Sequence, residues 1–207
     1  PSQGVPVFRI NSYTQMSTFI EKINNAFGGQ NRGTKASIDW FRKYVKNMKV
    51  NRSSLLKDGQ LERVQKPRPG RMYMFRYDAK HKDTLPYFDR FPLIFMVGPA
   101  KGGFYGLNLH YLPPRMRAIF FDRILQLATS KKLNEKTRLK MTYDMLAGAQ
   151  KLRAFAPCFK HYLVEQMKSA PTLVPADHWE TVLFLPSAQW QGANDTAVWK
   201  QTKKLIG

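Results

Sequence analysis

The sequence predicts an α+β fold: a small antiparallel β-sheet or half-open barrel flanked by N-terminal and C-terminal helices. Three observations predict it. Between Gly70 and Pro114 lie three apolar runs, Met72–Phe75, Phe91–Val97 and Phe104–Tyr111, whose aromatic and β-branched content favours strands over helix. The last two runs are joined by Gly98-Pro-Ala-Lys-Gly-Gly103, a breaker-rich loop that makes them an antiparallel hairpin. On both sides of this hub, apolar residues recur at helical spacing.

In chain order, residues 1–11 read as an extended arm. Met16, Phe19, Ile20, Ile23 and Phe27 define an amphipathic helix over 13–27, stopped by Gly28-Gly29. A second helix is expected over 35–50 with Thr34 as its N-cap. Ile38, Phe41, Val45 and Met48 share one side of it, and Lys35, Arg42, Lys43, Lys46 and Lys49 the other. Residues 51–70 form a connector ending in Lys66-Pro-Arg-Pro-Gly70, stiff, basic and turn-prone. Between the first two strands, Tyr77–Arg90 is a long charged loop. Pro113-Pro114 opens a helix running to about 128, because proline tolerates the first helical turn. Asn134 caps a helix over 135–148 with Leu139, Tyr143 and Leu146 inward. A further helix is expected over 158–168, and a strand over Val182–Leu185, ended by Pro186. The last 20 residues, with Trp190 and Trp199, fit no single element. The expected organisation is a helical N-terminal region (1–66), an α+β core (67–186) and a C-terminal extension (187–207).

Charge restricts function more than any motif. The 207 residues hold 34 Lys and Arg against 14 Asp and Glu, a net charge of +20. Such an excess repels itself, so it implies a polyanionic partner: nucleic acid, an acidic membrane surface or an acidic protein. No apolar run approaches the roughly 20 residues of a membrane span, and the N-terminus lacks the pattern of a secretory signal. The excess is spread over the first 168 residues, while 169–207 hold three basic and three acidic side chains. This is not the pattern of a disordered basic tail.

Catalytic signatures are sparse. One cysteine, Cys158, excludes an internal disulfide and a cysteine-based zinc cluster. No two of His81, His110, His161 and His178 have helical metal-pair spacing. His110, two residues after Asn108 at a strand end, reads as a buried, hydrogen-bonded histidine. Asp78, His81, Asp83 and Asp89 on the charged loop offer a metal-dependent nuclease site if their carboxylates converge; ion pairing with Lys80, Lys82 and Arg90 is the plainer reading. The sequence has no nucleophile elbow, phosphate-binding loop or dinucleotide fingerprint. No cofactor is expected. What remains is a basic surface interleaved with aromatics, suited to sequence-tolerant backbone binding.

Two strings, Tyr77-Asp-Ala-Lys-His-Lys-Asp-Thr-Leu-Pro-Tyr-Phe-Asp-Arg-Phe-Pro92 and Gly102-Gly-Phe-Tyr-Gly-Leu-Asn-Leu-His-Tyr-Leu-Pro-Pro114, resemble the DNA end protector, or head-completion, proteins of T-even-like contractile-tailed phages. The resemblance continues through Leu133–Tyr162, with Lys136-Thr-Arg and Ala156-Pro-Cys-Phe-Lys160, and reaches Trp179–Pro186, about the last two-thirds of the chain. It implies a protein that travels with the packaged genome and shields its double-stranded ends from the host's end-degrading nuclease, in the virion and then in the host cytoplasm. It carries over no site residue.

From the residues themselves, phosphate contacts are expected from Arg42, Lys43, Lys46 and Lys49 on the second helix. Lys80, Lys82, Arg90 and Lys101 on the sheet-rim loops form a second group, and Arg115 and Arg117 at a helix start a third. Tyr77, His81 and Tyr105 are candidates for stacking on bases, with Tyr87 and Phe88 beside them. The alternatives left open are a structural virion protein of the neck or baseplate, whose basic surface meets acidic subunits, and the nuclease built on Asp78, His81 and Asp83.

Overall fold

Alternating large side chains on the central strands give the sheet two apolar faces, and the rest of the chain divides to cover them. The computed structural model describes residues 62–114, 130–176, 179–184 and 189–206, with 116, 117, 120, 121, 124 and 127. The helices expected over 13–27 and 35–50 lie outside the described residues. The strands are β1 (Met72–Met74), β2 (Phe88–Asp89), β3 (Leu93–Ala100), β4 (Gly103–Asn108), β5 (Phe159–Leu163), β6 (Thr172–Val174) and β7 (Trp190–Gln191). The helices are α1 (Glu135–Ala149), α2 (Trp179–Phe184) and α3 (Asp195–Ile206). The fold is α+β, as the sequence predicts.

Five strands form one antiparallel sheet in the order β5-β4-β3-β1-β6, and β2 and β7 form a second, two-stranded one. The expected hairpin is β3–β4, in register from Ile94 opposite Asn108 to Ala100 opposite Gly103, with a bulge between Met96 and Gly98. Gly102 turns it with a φ of 71°, which an L side chain resists.

Met72, Met74, Leu93, Phe95, Val97 and Leu107 point to one face. Phe121 and Ile124 pack there with Leu146 of α1, Trp179, Val182 and Leu183 of α2, and Val198 of α3. The Trp179 ring meets Phe95 edge-on at 4.8 Å. Tyr73, Phe75, Ile94, Met96, Phe104 and Tyr162 point to the other face, where Val64, Met167 and Leu173 cover them. Helices therefore take one side of the sheet and connecting segments the other. After β5 the chain crosses the second face through a 3₁₀ turn, Val164–Gln166, bridges Tyr77 at Met167 and joins the far edge as β6.

Several elements differ from expectation. Phe88–Asp89, inside the expected loop Tyr77–Arg90, is a short strand because it pairs with Trp190–Gln191. Phe159–Leu163 is a strand, not part of a helix over 158–168, because it pairs along β4 from Leu107 to Gly103. Trp179–Phe184 is a helix, not the strand expected over Val182–Leu185: Trp179, Val182 and Leu183 are all buried at helical spacing. Leu185 itself lies outside the described residues. The third apolar run also stops being a strand at Asn108, whose side chain accepts from the His110 N–H and turns Leu109–Tyr111 into a 3₁₀ segment. The Asn134 cap is present, accepting from Thr137 N–H at 2.9 Å. Leu146 is inward in α1, but Tyr143 is 36% exposed and Thr142 takes an inward place.

The final helix settles the ambiguous tail. Thr202 of α3 donates to the Tyr111 carbonyl at 2.8 Å, and Trp199 donates to that of His110 at 2.9 Å. Trp190 meets the Tyr111 ring at 4.7 Å and donates to Asp195. No helix among the described residues is long and apolar enough to cross a membrane.

Candidate nucleic-acid interface

Several cations gather where connecting segments meet. Residues 76–78, Arg90, 166–169 and Gln189 are tied together by backbone bonds. Tyr77 N–H donates to the Arg90 carbonyl (3.0 Å), Arg90 N–H to that of Gln189 (2.8 Å), and Asp78 N–H to that of Gln166 (3.1 Å). Lys168 N–H donates to the Arg76 carbonyl at 2.8 Å, and Arg76 N–H donates to Ser169 Oγ at 2.9 Å. Four segments distant in sequence thus meet around a polar cleft of about 290 Å³, lined by Arg76, Lys82, Arg90 and Lys168, with Asp78, Gln189 and Gln191. Four cations face one carboxylate, and that carboxylate already holds Lys82 at 3.0 Å. Donors gathered in a concave wall focus a positive potential that suits phosphate oxygens.

A second polar groove, about 370 Å³, has Arg63, Lys66, Arg68 and Arg71 against Glu62. Its backbone is held by Val64 N–H donating to the Pro171 carbonyl and Leu173 N–H to that of Glu62. Arg71 is also engaged by Glu135 at 3.1 Å.

The expected phosphate ligands fare unequally. Lys80, Lys82, Arg90 and Lys101 are exposed; Lys82 and Arg90 line the cleft, and Lys80 lies 3.8 Å from Glu165. Such exposed pairs are worth at most about 1 kcal/mol and yield to a phosphate. Arg117 is a correction. It is 5% exposed, and its guanidinium donates to the carbonyls of Leu109, His110, Leu112 and Leu183. It ties a helix start to the 3₁₀ turn and is not a surface ligand. Arg42, Lys43, Lys46, Lys49 and Arg115 lie outside the described residues.

Among the stacking candidates, Tyr77 is a second correction. It is 8% exposed, its ring meets Phe75 and Tyr162 edge-on, and its hydroxyl accepts from Leu163 N–H. Phe88 is buried likewise. Tyr105 is 44% exposed and tilts against His161 at 5.3 Å. His81 is exposed on the charged loop.

The carboxylates do not converge. Asp89 is buried in β2, where its Oδ1 accepts from Phe91 and Gln189 N–H and its Oδ2 from Asn108 Nδ2 at 3.0 Å. His110 Nδ1 lies 3.4 Å from that Oδ2, the buried hydrogen-bonded histidine the sequence predicts. Asp78 is held by Lys82. Among the described residues no three His, Cys, Asp or Glu side chains are placed to share a metal ion, so the ligand set of Asp78, His81 and Asp83 does not form.

Sequence reasoning missed Arg76 and Lys168. Strand alternation does not mark Arg76: it has the parity of Met72 and Met74, which are buried under the helices. Lys168 was hidden by the helix expected over 158–168.

No curated protein and no solved structure matches this chain significantly. The sequence pattern of the family described as Phage T4 terminal DNA protecting protein matches residues 5–203, the basic cleft and both sheets included. With nearly its whole length matched, the chain belongs to the Phage T4 terminal DNA protecting protein family.

Proposed function

We propose that this protein is a non-enzymatic virion component that binds double-stranded DNA termini without sequence preference and shields them sterically from host exonuclease. The cleft walled by Arg76, Lys82, Arg90 and Lys168 carries this reading. It offers charge to phosphates, whose contacts carry no sequence information. The net charge of +20 supplies attraction to the duplex at long range. Blocking follows from occupancy: an end covered by a firmly held protein cannot be loaded into a nuclease. Carried with the genome in the virion, the protein would act in the host cytoplasm after injection.

Exonuclease protection tests this reading. Linear duplex at saturating protein should be degraded at least tenfold more slowly than free duplex, with hairpin-capped duplex as the control for end access. Degradation of open ends at the unprotected rate would sink it. Protection by a covering surface requires no divalent ion, so binding in excess chelator should match binding in magnesium.

A further inference from the structure

A second cavity lies on the other side of Tyr77 from the basic cleft. It has a volume of about 300 Å³, at the small end of ligand pockets. Tyr87, Tyr111 and Tyr162 form aromatic walls, and Lys80, His81 and His161 stand on its rim. The walls are braced: Tyr87 and Tyr111 lie 6.1 Å apart and tilted by 34°, and Trp190 meets both edge-on at 5.9 and 4.7 Å.

Lys160 is the unusual member. It projects from β5 opposite Gly106, which has no side chain to cover it. Its ammonium sits 4.2 Å from the centre of the Tyr111 ring. Among the described residues it has no carboxylate and no hydrogen-bond acceptor; the tyrosine face is its partner. A half-buried cation with its donors unused is costly unless something else accepts them. Burial pulls its pKa below the usual 10.5, which records that cost.

We propose that this cavity holds the unpaired base of a frayed DNA terminus, stacked on the tyrosine wall, with Lys160 donating to a ring nitrogen or carbonyl of the base. The inference rests on the end-binding reading above and gives it a site. Every base has a π face and an acceptor, so such a pocket tolerates sequence. Lys80 on the rim then meets the attached phosphate, with His81 beside it as a hydrogen-bonding group, and the duplex continues toward the basic cleft beyond Tyr77. A terminal base leaves its stack more cheaply than an internal one, which would make the pocket a discriminator of ends.

The test uses the full chain and 20-base-pair duplexes carrying 2-aminopurine at the terminal or a central position. One end of each is closed by a hairpin. Saturating protein should quench terminal 2-aminopurine at least threefold more than central 2-aminopurine. Lys160→Met keeps the chain length and removes the donors. It should abolish that difference and weaken binding to open-ended duplex about tenfold, while binding to duplex capped at both ends stays within twofold. A second variant, Tyr87→Leu, should lose the quench in the same way. If wild type binds duplex by anisotropy but terminal 2-aminopurine is not selectively quenched, or Lys160→Met quenches like wild type, the pocket assignment fails and the end-binding reading survives. If no duplex is bound, both fail.

Discussion

Burial decides what individual side chains can do in this protein. Arg117 and Lys160 are both cations in a basic chain, yet one is spent on four backbone carbonyls and the other faces a cavity. Cys158 is the cleanest case for measurement. Burial, opposed by Lys160 and Arg117, pushes its thiol up to about 12, against about 8.5 in an unfolded chain. Its stabilising contribution is therefore full below about pH 8.5 and lost as pH rises toward 12, at a limit of about 1.4 kcal/mol per pH unit. Lys160 has the opposite sign, since its lowered pKa gives back stability as pH rises toward 10.5. At pH 8 the native thiol should react with an aromatic disulfide reagent only at the rate of unfolding, and promptly in urea. Fast native reaction would show Cys158 to be accessible. In Cys158→Ala the decline of urea-unfolding stability between pH 8.5 and 10 should be shallower than in wild type.

Among the elements, β5 controls both cavities, because it supplies Lys160 and Tyr162 and delivers the chain to Lys168. Its pairing with β4 depends on close approach at Gly103, where an added Cβ would lie 1.9 Å from the Tyr162 carbonyl oxygen. Gly103→Ala should cost about 3 kcal/mol in urea unfolding. Gly98→Ala, where a Cβ meets nothing within 4 Å, should be near neutral. Equal effects would remove the argument from close packing. Two of the elements misjudged from sequence share one cause. Phe159–Leu163 and Val182–Leu185 are short apolar runs, and short runs fit either period. For β5 the choice was made by unpaired backbone groups along the edge of β4, and for α2 by the burial of Trp179, Val182 and Leu183. Neither cause is local.

Among the described residues, helices cover one face of the five-stranded sheet, and connecting segments bring Arg76, Lys82, Arg90 and Lys168 to one cleft. Attraction to DNA should then depend on a concentrated surface, not on net charge alone. Affinity for a hairpin-capped duplex should fall linearly on a log–log plot against salt, by about 0.9 per phosphate neutralised. Arg76→Gln with Lys168→Gln should reduce that slope by about 2. Lys203→Gln with Lys204→Gln removes the same charge from the last turn of α3 and should change it by less than half as much. Equal changes would mean that binding follows total charge and that the cleft is not the contact.

By itself the sequence determined the charge excess, the β3–β4 hairpin, the Asn134 cap and the buried role of His110. Each rests on composition or on neighbours within a few residues, where steric and hydrogen-bonding rules act without help from the fold. Only the tertiary structure decided that Arg76, Lys82, Arg90 and Lys168 share one cleft, that Arg117 is enclosed and that Lys160 faces a tyrosine-walled cavity. Those outcomes depend on strand order and on which surfaces are removed from water, and long-range contacts set both.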